Sequence, residues 1–264
     1  MKIEECRTED YGSVWARDSR ARVPFVGIGD MHYGTPTFNR KVFDRVVKWV
    51  QTNNAYWIGM GDFLELATKQ SPGSGVFEQV VDADEQIAGV VKMFEPIAGN
   101  CMGLIRGNHE HRLGRLTGLD PVTIMARELG VPALGWEGYG GIIKDGACTY
   151  TFYAVHSYTG NKTAGLAMNW TEREVMKWVD ADILMRAHSH DLGFDPKMCV
   201  HVNAQKKCVS SHPRCLVMTG HYMDRQDSYV ASRAAAPKPP GTVGLWLSMA
   251  SKTEDRKITP EYLM

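Results

Sequence analysis

Residues 23–32 read V-P-F-V-G-I-G-D-M-H, an apolar run closed by glycine and followed at once by two side chains that can hold a metal or a proton. The run predicts a buried strand over 23–29, with Asp30 and His32 on the loop that leaves it. After the turn-forming Thr35-Pro36-Thr37, residues 38–52 carry Val42, Phe43, Val46, Val47, Trp49 and Val50 at helical spacing. Residues 55–60 (AYWIGM) predict a second strand, 82–97 a second helix limited by Pro96, and 101–106 (CMGLIR) a third strand. The order βαβαβ predicts a layered α/β domain with a largely parallel sheet.

The second half has a different texture. Residues 142–144 and 149–155 flank Asp145-Gly146, a hairpin signal. Residues 171–179 predict a helix opened by a capping box of Thr171 and Glu174, and 182–185 another short strand. From Met198 onward there are short β-like runs. No repeat or clean boundary interrupts the chain, so the expectation is one domain over 1–264, with a core over about 23–191 and a β-rich part over 192–264. Residues 234–241 (AAAPKPPG) predict an ordered loop or local linker.

Composition narrows the class. The chain has 264 residues, 30 Lys+Arg against 30 Asp+Glu, 44% hydrophobic and 23% charged residues. This predicts a globular, soluble protein without a broad basic surface for nucleic acid or anionic membrane. Cysteines are too sparse for a disulfide scaffold, residues 1–22 are too charged for a signal peptide, and no apolar run approaches the ~20 residues of a membrane span. The expectation is a cytoplasmic protein with reduced thiols. Cys199, His201, Cys208, His212 and Cys215 cluster without a Cys-x2-Cys knuckle, and are expected at alternating positions of a hairpin rather than around zinc.

The chemistry-bearing residues fall at strand ends. Asp30 and His32 follow the first strand, Gly61-Asp62-Phe63-Leu64-Glu65 the second, and Gly107-Asn108-His109-Glu110 the third. His156 ends the run Tyr153-Ala154-Val155, and His188-Ser189-His190 follows the strand at 182–185. In open α/β sheets, binding sites lie outside the carboxyl ends of the strands. Gly29, Gly61 and Gly107 are expected to permit tight turns there.

This ordered series resembles the calcineurin-like metallophosphoesterase superfamily, from Asp30 to His190. The resemblance implies an α/β fold, a four-layer αββα sandwich of two mixed β-sheets flanked by helices. It implies one metal ion on Asp30, His32, Asp62 and His190 and a second on Asp62, Asn108, His156 and His188, with Asp62 bridging. His109 would be catalytic without ligating. Oxygen and imidazole ligands without thiolate suit two divalent transition-metal ions, manganese first, with iron, zinc, nickel or cobalt as alternatives. The expected mechanism is in-line attack on phosphorus by a metal-bridging hydroxide, with Asn108 helping to hold the phosphoryl oxygens and His109 protonating the leaving oxygen. Glu65 stands where the protein phosphatase branch has an aspartate; it is read as orienting or charging His109, against a solvated loop carboxylate. Arg112 could bind phosphate, but a surface arginine is the favoured reading.

Departures shape the substrate expectation. Leu66-Ala67 replaces the Arg-Gly of protein phosphatases, Glu65 replaces a histidine common in double-strand-break-repair nucleases, and His109 differs from the arginine of lipid A-pathway hydrolases. Ala187 replaces the usual glycine before the His-x-His, tolerable where that backbone needs no positive φ. The expected substrate is a phosphodiester of nucleotide or nucleic-acid type; a phosphomonoester, small-molecule or phosphoprotein, is the alternative, and a metal-free scaffold a third reading. A neutral chain still admits such an anion, because the attraction would come from the metals. Residues 220–225 (GHYMDR) with Ser228 and Tyr229 could line a pocket, but a turn and hairpin is the favoured reading. His111, His201, His212 and His221 carry no assignment.

Overall fold

The computed structural model describes residues 2–8, 12–69, 71, 75–157, 164–205, 207–224 and 237–264. Arg225, Ser228, Tyr229 and the alanines that open the proline-rich stretch lie outside them. The strands are β1 (Lys2–Arg7), β2 (Gly12–Arg17), β3 (Arg22–Ile28), β4 (Tyr56–Gly59), β5 (Cys101–Ile105), β6 (Ala133–Gly135), β7 (Glu137–Lys144) and β8 (Cys148–His156), followed by β9 (Ile183–Ala187), β10 (Leu192–Asn203), β11 (Cys208–Thr219), β12 (Thr242–Ser248) and β13 (Ile258–Leu263). The helices are α1 (Arg40–Asn53), α2 (Ala83–Phe94), α3 (Asn108–Thr117), α4 (Pro121–Leu129) and α5 (Ala164–Trp170).

The strands form two mixed sheets, ordered β1-β2-β7-β8-β9-β11-β10 and β13-β12-β3-β4-β5-β6. In the second sheet β3, β4, β5 and β6 run parallel, as the βαβαβ pattern predicts, while β12 and β13 are antiparallel additions from the C-terminal part. Alternation along β3 shows how the layers stack. Val26 and Ile28 pack with Phe43, Val46, Val90 and Phe94 of α1 and α2, whereas Val23 and Phe25 face Phe152, Met185 and Val217 of the other sheet. A third cluster, with Tyr153, Leu184, Leu216 and Val175, covers that sheet's outer side. The order is helices, sheet, sheet, helix, the four-layer αββα sandwich.

Several local expectations change. The helix expected over 82–97 ends at Phe94 and continues as a 3-10 segment, Glu95–Asn100, with Pro96 in its first turn, where a missing N–H costs nothing. Thr171 opens no helix. It stands inside one that starts at Ala164, and its hydroxyl donates back to Ala167 O at 2.9 Å, where the helix widens into a π segment, Thr171–Val175. The cysteine cluster does lie on a hairpin, with Cys199 opposite His212 and His201 opposite Ser210. Among the described residues no convergent group of metal donors includes it, and no helix is long and apolar enough to cross a membrane.

Between β2 and β3, buried Asp18 receives Arg20 N at 2.8 Å and Arg20 Nη2 at 2.6 Å. Burial alone would raise its carboxyl, but Arg20 holds it below the ordinary 3.8. A depressed folded pKa stabilises above the unfolded value and is lost as pH falls through the folded one. Asp18→Asn should therefore cost about 1.5 kcal/mol at pH 7 in chemical denaturation. That difference should fade below about pH 4; a pH-independent difference would contradict the pairing.

Candidate metal centre

The parallel strands and β8–β9 deliver their C-terminal loops to one place. Asp30 Oδ1 lies 3.1 Å from His190 Nε2, which lies 3.2 Å from His32 Nε2. His156 Nε2 lies 3.2 Å from Asp62 Oδ2 and 3.1 Å from Asn108 Oδ1, and His188 offers a ring nitrogen to the same group. Three donor groups result among the described residues, Asp30–His32–His190, Asp62–His156–His188 and His32–Glu65–His109, with Asn108 beside the second. Asp62 Oδ2 also stands 3.9 Å from His32 Nε2, so one oxygen faces the first two groups.

These spacings fit metal ions. Ligand atoms ~2.1 Å from a shared ion stand roughly 3.0–3.4 Å from one another at right-angled to tetrahedral geometry. Two ring nitrogens and a carboxylate oxygen converge in the first group, and Asp30 Oδ1 is buried without a hydrogen bond. The histidines are aimed from behind. His156 Nδ1 lies 2.8 Å from Met60 O, and His32 Nδ1 3.1 Å from Glu65 Oε2, which puts each Nδ1 proton on an oxygen and leaves Nε2 facing inward. Asp30 Oδ2 accepts from His188 N at 3.0 Å, and Asp62 Oδ1 from His109 N at 2.9 Å, so each carboxylate is pinned by one oxygen and presents the other.

The electrostatics agree. Burial alone would raise the Asp30 carboxyl, but His190 and His156 hold it down to about 2. Burial alone would lower His32 and His156, yet Glu65 with Asp62 and Asp30 pushes His32 up to about 9, and Asp62 with Asp30 pushes His156 up to about 10. Buried carboxylates that draw protons onto imidazoles are asking for positive charge.

His109 is brought beside the donors. Its Nε2 lies 3.9 Å from Asp62 Oδ2 and its ring centroid 4.4 Å from that of His32. Glu65 meets two histidines. Its carboxylate is 3.1 Å from His32 Nδ1 and 3.6 Å from His109 Nδ1, and its main-chain carbonyl accepts from His109 Nδ1 at 2.6 Å. Its carboxylate thus orients His32, while its carbonyl holds the His109 ring and its charge favours a proton there. Arg112 donates to Ser71 Oγ at 2.6 Å, on the Glu65 side of the centre.

The backbone carries a cost. Asp30, His32, Asp62, His188 and His190 have φ of 49, 48, 49, 80 and 58°, left-handed values that ordinary side chains avoid. Ala187 needs no such φ and lies in β9, which explains its tolerance. Of the three motif glycines only Gly61 has positive φ, at 80°. Gly107 serves close approach, since a Cβ there would sit 2.1 Å from Asp62 Oδ1.

Sequence reasoning passed over two neighbours. Glu110 is buried on α3; its Oε2 accepts from Asp62 N and Gly107 N at 3.0 Å and its Oε1 from Leu64 N at 3.1 Å. Burial and the Asp62 charge push its carboxyl up to about 7. Glutamate three residues after a helix-opening glycine was the available signal. The His221 ring lies 5.2 Å from that of His190, tilted by 31°, and its segment makes single bridges, His221 to Gly241 and Met223 to Phe38; the rest of the expected hairpin lies outside the described residues.

No family model and no curated protein matches the chain. Among the solved structures similar to it are two phosphoesterase-type proteins. One is a conserved uncharacterized protein, a predicted phosphoesterase, from Streptococcus pneumoniae TIGR4, with 8% identity over 92% of this chain and 99% of that one at a TM-score of 0.36. The other is a metallophosphoesterase from Sphaerobacter thermophilus, with 14% identity over 92% of this chain and 89% of that one at a TM-score of 0.40.

The strain can be measured at His188. His188→Gly and His188→Ala both delete the imidazole, but alanine keeps the left-handed penalty of about 1 kcal/mol. In metal-free protein the glycine variant should melt about 2–4 °C higher than the alanine variant. Equal melting temperatures would show that the backbone there is unstrained.

Proposed function

We propose that this chain is a metal-dependent phosphoesterase that hydrolyses a phosphodiester of nucleotide or nucleic-acid type. The observation that carries the reading is Asp62 Oδ2, 3.2 Å from His156 Nε2 and 3.9 Å from both His32 Nε2 and His109 Nε2, standing between the Asp30–His32–His190 and Asp62–His156–His188 groups. Asp30, His32, Asp62 and His190 would hold one divalent ion, and Asp62, Asn108, His156 and His188 the other, manganese being the first candidate. When bound, two such ions supply a hydroxide nucleophile at neutral pH and positive charge for the phosphoryl oxygens.

The chain's own residues do the rest. Asn108 presents its amide at the second group, where Oδ1 meets His156 and the Nδ2 donor would serve a phosphoryl oxygen. His109 has its Nδ1 proton committed to Glu65 O, so any proton it delivers to the leaving oxygen sits on Nε2. Burial pushes this imidazole down to about 4, and an arriving phosphate's negative charge works in the opposite sense. Arg112 adds a cation on the His109 side. The diester reading is supported by Leu66-Ala67, which departs from the protein phosphatase branch.

The comparison of bis- and mono-p-nitrophenyl phosphate with added Mn2+ should favour the diester; clear preference for the monoester would replace it with the phosphatase alternative. Chelation should abolish activity and Mn2+ restore it. A chain that holds no transition metal and stays inactive after Mn2+ reconstitution would leave only the scaffold reading. Asp62→Ala should lose both metal and activity. His109→Ala should keep its metals by elemental analysis while kcat falls roughly 10²–10⁴-fold; metal loss in that variant would make His109 a ligand instead.

A further inference from the structure

Glu110 does more than a helix-capping glutamate needs to do. A carboxyl at this position of a capping box has one partner to satisfy, the main-chain N–H of the residue that opens the helix. Glu110 meets that requirement with Gly107 N at 3.0 Å. The same Oε2 then takes Asp62 N at 3.0 Å, and Oε1 takes Leu64 N at 3.1 Å. Three N–H groups from two loops therefore end on one fully buried side chain. The loops touch directly as well, because the Gly107 Cα packs where a Cβ would lie 2.2 Å from Asp62 N. Asp62 is left-handed, and its N–H points away from any strand partner into this carboxyl.

We propose that Glu110 is a positioning residue for the centre: it fixes the Asp62 loop against the start of α3 and so sets where the shared Asp62 oxygen stands relative to Asn108 and His109. This rests on the phosphoesterase reading for its consequence, though not for its geometry. Through Asp62 N and Gly107 N one oxygen registers the loop after β4 against the loop after β5. Asp62 Oδ1 returns the contact by accepting from His109 N, so the two loops are cross-linked in both directions.

Glutamine separates this role from capping, because it is itself an accepted capping-box residue. A glutamine has one carbonyl oxygen, and its NH2 group would confront an N–H of Asp62, Leu64 or Gly107. Glu110→Gln should weaken Mn2+ binding about 10–100-fold in a competition titration and lower kcat by a similar factor with KM little changed. In metal-free Glu110→Gln, amide exchange at Asp62 and Leu64 should be faster than in the wild type. Asp18→Asn, which sacrifices stability outside the donor groups, should keep wild-type Mn2+ affinity and kcat. A Glu110→Gln protein with wild-type Mn2+ affinity, kcat and amide protection would reduce Glu110 to a helix cap. Wild-type protein that takes up no Mn2+ would defeat the phosphoesterase reading; unchanged exchange at Asp62 and Leu64 would defeat this inference separately.

Discussion

Asp62 is held at three points, and the site depends on that. Glu110 accepts from its N–H, His109 N donates to its Oδ1, and its Oδ2 is left facing His156 at 3.2 Å and both His32 and His109 at 3.9 Å. A buried carboxylate with one oxygen pinned and the other aimed into a ring of imidazoles is costly unless positive charge is supplied. In the protein alone the imidazoles supply it, which is why burial fails to lower His32 and His156. The arrangement makes chemical sense as a cradle for cations.

The rest of the fold can be understood as what it takes to bring those side chains together. Two stacked sheets give the centre a rigid floor, and the strand ends point the loops at one spot. The cost appears in the backbone, where five of the proposed ligand residues adopt left-handed φ. Aspartate and histidine tolerate that region better than branched side chains, so ligand chemistry and local conformation select the same residue types. Strain concentrated at such positions persists because the surrounding structure over-determines it. Here the restraint comes from the Gly61–Gly107 contact, the Glu110 carboxyl and the packed strands beneath.

Much of this was legible in the chain. Apolar runs closed by glycine mark β3, β4 and β5, and the polar residues just after each run are the ones that converge. The continuous apolar run of β3 marks it as buried on both faces, but which side chains meet the helices and which the other sheet is seen only in the structure. What could not be read was direction. Glu65 stands near enough in sequence to serve either histidine, and only the path of the loop turns its carboxylate to His32 and its carbonyl to His109. Thr171 and Glu174 satisfy a capping pattern, but the preceding helix overrides it. His221 had no strand-end signature, because its place beside His190 is set by tertiary contact rather than by local pattern.

The proposed ligands all lie before residue 191, yet the C-terminal part completes their surroundings. β12 inserts between β3 and β13, so the strand that delivers Asp30 is a central one instead of an edge. Tyr222 N donates to Asp30 O at 3.2 Å, which ties the left-handed Asp30 to a segment nearly two hundred residues away. Lys238 Nζ donates to Ser189 O at 2.5 Å and lies 2.9 Å from Asp191, which braces the His188–His190 loop from outside. A chain ending near residue 191 would carry every proposed ligand and still leave the Asp30 carbonyl and the last histidine loop without these partners. The β-rich tail is therefore part of what holds the centre in shape, because it adds to the contacts that Gly61 and His188 already make with Asp30 and braces the last histidine loop.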